Sequence, residues 1–114
     1  MAKENISTGS SHNLIAQGSI IKGDFNAETD IRIDGEIEGN ITCNNKIIIG
    51  PMGVVTGDIF CEDAEIIGTL NGNAKVKKLL ILAETARVNG NLEMAVISIE
   101  PNAILTGFCK MVRE

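Results

Sequence analysis

Aliphatic and polar residues alternate along this chain in short bursts, and the bursts repeat. The clearest copies are Ile37-Glu38-Gly39-Asn40-Ile41, Val55-Thr56-Gly57-Asp58-Ile59 and Val88-Asn89-Gly90-Asn91-Leu92. The same phrase stands at Ile21-Lys22-Gly23-Asp24-Phe25 and, more loosely, around Gly72 and Gly107. Its glycines at 23, 39, 57, 72, 90 and 107 are 16, 18, 15, 18 and 17 residues apart. A near-constant period of this size predicts a solenoid, in which each unit buries its apolar face only by stacking on the next.

Counting from each glycine separates the columns. Two residues before it stand Ile21, Ile37, Val55, Leu70, Val88 and Leu105. Two residues after it stand Phe25, Ile41, Ile59, Ala74, Leu92 and Cys109; four after stand Ala27, Cys43, Cys61, Val76, Met94 and Met111. Strand side chains alternate faces, so these columns share the inside. The position directly after the glycine points out and reads Asp24, Asn40, Asp58, Asn73, Asn91 and finally Phe108. Its Asn/Asp run is expected to form a hydrogen-bonded ladder at a corner.

A second aliphatic face lies upstream, eight residues before the glycine: Ile15, Ile31, Ile49, Ala64, Leu82 and Ile99. In the long units a corner loop follows it, as in Gly50-Pro51-Met52-Gly53 and Glu100-Pro101-Asn102-Ala103, where Pro and Gly suit tight turns. The short units pass that corner more directly. Each unit is then two or three short strands, and no segment has a sustained helical period. The reading is an all-β, single-stranded parallel solenoid of about six coils over residues 13–112, with short disordered tails at 1–12 and 113–114.

Composition narrows the function. The formal charge of -5 opposes nucleic-acid binding, which needs a cationic stripe. Lys75-Val76-Lys77-Lys78 is the one basic cluster and reads as a solvated strand and turn. No apolar run is long enough to span a membrane, and the first residues lack the layout of a secretion signal. The 3 cysteines have no paired spacing and fit reduced thiols in a cytoplasm.

Candidate chemistry is sparse. The single histidine, His12, falls before the repeats, a poor place for a general base. Cys43 and Cys61 share a column in adjacent coils, but two thiols without further ligands make a poor zinc site and read as core. Asp24 and Asp58 alternate with Asn and lack the Gly-Gly pairs of calcium-binding repeats. No cofactor, metal or nucleotide site is expected. One rival is a hexapeptide-repeat acyltransferase: Ile49 to Phe60 looks like two such hexads, yet that fold needs a strict 18-residue coil and a histidine from the coils. A bridging protein that does not polymerise is the other. Neither explains the ends. Leu14, Ile15, Ile20 and Ile21 form a bare first coil, and Leu105, Phe108, Met111 and Val112 leave an apolar patch on the last. Two uncapped ends predict end-to-end polymerisation.

Here the chain resembles the bactofilins, a family of bacterial cytoskeletal proteins. The likeness runs from about Leu14 to Val112. It rests on Ile15-Ala16-Gln17-Gly18-Ser19-Ile20-Ile21-Lys22-Gly23-Asp24-Phe25, on Ile33-Asp34-Gly35-Glu36-Ile37-Glu38-Gly39-Asn40-Ile41, and on the closing Leu105-Thr106-Gly107-Phe108. The resemblance implies a right-handed parallel β-helix that builds non-polar filaments without nucleotide, through N-to-N and C-to-C contacts. It implies that Phe108 matches the family's C-terminal core phenylalanine and supports polymerisation. It further implies a scaffold at the inner face of the cell membrane that positions cell-wall enzymes or polarity proteins. Membrane association rests on the resemblance alone, because residues 1–11 fall short of an amphipathic anchor.

Overall fold

The computed structural model describes residues 12–112, so the expected tails lie outside the described residues apart from His12. His12 opens the first strand. One coil is three strands: β1 (His12–Ile15), β2 (Ile20–Lys22) and β3 (Phe25–Ala27). Six such coils follow one another, ending in β16 (Val96–Ile99), β17 (Ile104–Thr106) and β18 (Cys109–Met111). Each strand pairs in parallel with its counterpart one coil away, which gives three six-stranded parallel sheets with no helix among the described residues. This is the β-solenoid that the repeat implies.

The inside is apolar apart from Asn13 on the first coil. Ile37, Val55, Leu70 and Val88 of the second sheet, and Ile41, Ile59, Ala74 and Leu92 of the third, are all at most 1% exposed. No polar or charged side chain is buried among the described residues. β-branched Ile and Val suit this interior: they fit a pleated strand, and rows of one size stack rung on rung.

The first sheet corrects the upstream column. Its rungs are Ile15, Ile33, Ile49, Ile66, Leu82 and Ile99. Ile31 and Ala64 belong one place over, in the inward column with Asn13, Ile47, Leu80 and Ile97. The cause is the corner between the first and second sheets. Four coils make it with four residues, closed by a turn such as Ser19 N–H donating to the Ala16 carbonyl at 3.0 Å or Gly53 to Gly50 at 2.9 Å. Two coils make it with the pairs Asp34-Gly35 and Ile67-Gly68. The short corners nest in the long ones, and the ladder continues across them: Glu36 N–H donates to the Ser19 carbonyl at 2.8 Å and Val54 N–H to the Gly35 carbonyl at 3.0 Å.

The second corner has one length in every coil, Gly followed by the ladder residue. Asn40 N–H donates to Asp24 Oδ1, Asp58 N–H to Asn40 Oδ1 and Asn73 N–H to Asp58 Oδ1, each at 3.0 Å. Asn91 N–H donates to Asn73 Oδ1 at 2.9 Å. The expected Asn/Asp ladder is present, and it pins the register of the coils.

Candidate polymerisation interface

Stacking satisfies every interior coil twice, from above and below, and leaves the first and last satisfied once. At the C-terminal end the inward columns finish in Ile97, Ile99, Leu105, Cys109 and Met111, with no further coil beneath them among the described residues. Ile99 is 50% and Met111 64% exposed, although both occupy columns that are buried one coil earlier. Val112 N–H donates to the Met94 carbonyl at 2.7 Å, which continues the rung past β18. Val96 and Ile104 add apolar surface on the outward faces of the same coil.

Phe108 sits at the second corner of this last coil. It is 75% exposed, so it lies outside the core that the resemblance assigns it. Its amide donates to Asn91 Oδ1 at 3.2 Å, as any ladder residue would. Its ring then stands on the surface beside a bare end.

The N-terminal end is different. Ile15 and Ile21 point inward and pack only on the coil below, together with Phe25 and Ala27. Leu14 and Ile20 point outward, 58% and 60% exposed, and flank that end face instead of forming it. The remaining inward place belongs to Asn13, whose Nδ2 donates to Thr29 Oγ1 at 3.3 Å and to the Asp30 carbonyl at 3.4 Å. Sequence reading missed Asn13 as an end cap, and it missed Ile99 and Ile104 at the other end. The signal for Ile99 was available: a core column must be bare on its last rung.

The cysteines divide as their columns imply. Cys43 and Cys61 are buried in the third sheet, and Cys109 is exposed at the C-terminal end. Burial pushes all three thiols up, Cys61 to about 12, where the negative charges of Cys43, Asp63 and Glu62 add to burial. In the buried Cys43 and Cys61 that suppresses the thiolate needed for nucleophilic or metal chemistry. A groove of about 340 Å³ runs along the third sheet past Phe60, whose ring lies 5.9 Å from Lys75 Nζ. No group of three or more metal-ligating side chains occurs among the described residues, and no helix there is long and apolar enough to cross a membrane.

Comparison with known proteins converges on one family. Residues 13–110 match the family model described as Bactofilin, polymer-forming cytoskeletal. The chain belongs to the bactofilin family. Bactofilin BacO of Myxococcus xanthus is 27% identical over 104 residues, which covers 91% of this chain and 82% of BacO. Bactofilin BacP of the same organism is 26% identical over 107 residues, covering 93% of this chain and 45% of BacP. The chain therefore spans less than half the length of BacP. No solved structure matches. The family places this bactofilin among cytoskeletal structural proteins.

Proposed function

We propose that this bactofilin joins its copies lengthwise, N-to-N and C-to-C, into non-polar filaments that need no nucleotide. The filaments serve as a scaffold for cell-envelope or polarity proteins at the inner face of the membrane. The observation that carries the reading is the pair of ends, where among the described residues the apolar columns stop with no further coil, Asn13 being the one polar side chain in an inward place, and the outer strands have no neighbour on one side.

The ladder favours the non-polar arrangement. In a head-to-tail stack Phe108 would sit above the next copy's Asp24 amide, where every interior junction supplies an Asp or Asn oxygen. Phenylalanine supplies none, so that junction forgoes one ladder bond, worth about 0.5–1.5 kcal/mol. A C-to-C junction lets Phe108 pack against its copy.

Negative-stain microscopy of the purified, nucleotide-free protein tests assembly, and filaments are the expected result. Monomers at high concentration in ordinary buffers would end the proposal. Polarity is read from Cys109, the exposed thiol at the C-terminal end. A short bis-maleimide should yield covalent dimers from C-to-C filaments, and single-site labelling alone would indicate head-to-tail stacking.

A further inference from the structure

The two ends differ in charge as well as in apolarity. The first two coils, residues 12–43, hold six carboxylates: Asp24, Glu28, Asp30, Asp34, Glu36 and Glu38. Only Lys22 and Arg32 oppose them. Arg32 is committed to Asp34, with Nε to Oδ2 at 3.0 Å. Glu36 and Glu38 stand outward on the second coil, one rung in from the end, with Glu38 opposite Lys22, and neither enters an ion pair among the described residues. The last two coils, residues 79–112, are nearly balanced, with Glu84, Glu93 and Glu100 against Arg87 and Lys110. The end faces follow the same division: the inward column that finishes in Ile97 at the C-terminal end begins with Asn13 at the other.

We propose that ionic strength controls one of the two junctions. The C-to-C contact, apolar and almost uncharged, closes first. The N-to-N contact brings two acidic ends together, and it forms only as their repulsion is screened. This rests on the end-to-end reading above and sets the order of its steps: C-to-C dimers at low salt, filaments at higher salt. Charges separated by one or two coil spacings repel over a range that salt shortens from about 20 Å at low ionic strength to about 6 Å at high. Filament length then follows the cation concentration around the protein, with no nucleotide to drive it.

The Phe108→Arg variant isolates the N-to-N step by removing the apolar tip at the opposite end. Its dimerisation constant is measured by sedimentation equilibrium from about 20 mM to about 300 mM NaCl, where screening of the acidic ends should tighten it about tenfold. Replacing Glu28, Glu36 and Glu38 with Gln in the same background should tighten the low-salt dimer and remove most of that shift. Light scattering on the unsubstituted protein checks the order independently, with a plateau at dimer mass in low salt and larger species in high salt. A salt-insensitive junction, or an equal shift in the Gln variant, would overturn the control by charge while leaving filaments intact. Failure of the unsubstituted protein to associate at any salt would instead remove the end-to-end reading itself.

Discussion

The Phe108 amide donates to Asn91 Oδ1 at 3.2 Å, and with that bond the Asn/Asp ladder ends. A phenylalanine accepts the place of a ladder residue without offering an oxygen to a further coil. Its ring, 75% exposed, is the largest apolar side chain at the C-terminal end. The residue therefore ends regular stacking and supplies apolar surface in one substitution.

Phe108→Asn should separate the two effects. The backbone bond to Asn91 survives, so the thermal midpoint is expected to move little, as for most changes at exposed sites. The apolar tip is lost, and filaments should shorten to small oligomers in the analytical ultracentrifuge. Phe108→Arg should do the same more completely, because a C-to-C contact would then face two like charges. Filaments of unchanged length in both variants would place Phe108 outside the contact.

Much of the fold was legible because strand alternation and glycine spacing report the same geometry. The columns around the second corner needed no correction, since that corner is Gly plus one residue in every coil. Upstream, counting from the glycine placed Ile31 and Ala64 beside Ile15 and Ile49, two residues out of register. The Asp34-Gly35 and Ile67-Gly68 corners are two residues shorter than their neighbours, and a shift of two preserves the inward face while changing the rung. Burial was thus readable and the partner was not. The ends were readable in composition but not in direction: Leu14 and Ile20 are as aliphatic as Ile15 and Ile21, yet they stand on the outer faces. Phe108 was legible as surface, because the position directly after the glycine points out; only the resemblance assigned it to the core.

Glycine at the second corner has two roles that substitution can split. Gly72 has φ 151°, and an added Cβ would fall on the carbonyl of Gly57 in the coil above. Gly72→Ala should cost about 3 kcal/mol or more, from backbone strain and the displaced rung, and is read by urea denaturation. Gly23 has φ 132° but nothing within 4 Å of the same position, because no coil of the described residues lies above it. Gly23→Ala should cost only about 1–2 kcal/mol. Its methyl group would project from the N-terminal end face, so N-to-N association should weaken while the solenoid remains folded. Equal stability losses in the two variants would contradict the stacking account.

The ladder uses one oxygen of each side chain. Asp58 Oδ1 accepts from Asn73 N–H at 3.0 Å, and Asn in that place offers the same oxygen. Asp58→Asn should therefore stay within about 0.5 kcal/mol of the parent protein, whereas Asp58→Ala should lose about 1 kcal/mol with the bond. Neither chelator nor added calcium should alter the midpoint of any of the three proteins. A calcium-dependent rise lost in Asp58→Asn would make the column a metal site.

Stability at alkaline pH should depend on Cys61. Burial, followed by the nearby charges of Cys43, Asp63 and Glu62, raises its thiol from 9.0 to about 12. Between those values the unfolded chain releases a proton that the folded chain keeps. The folded state binds more protons there, so stability falls as pH rises, by about 1.4 kcal/mol per unit for this one group. Below pH 9 the contribution is complete. Cys43 shifts in the same direction and steepens the decline. Cys61→Ala should begin less stable at pH 7, because it leaves a small void, yet lose stability more slowly from pH 9 to 11. Denaturant titrations across that range should show the two proteins converging, and parallel curves would mean that the thiol is not held protonated by its burial.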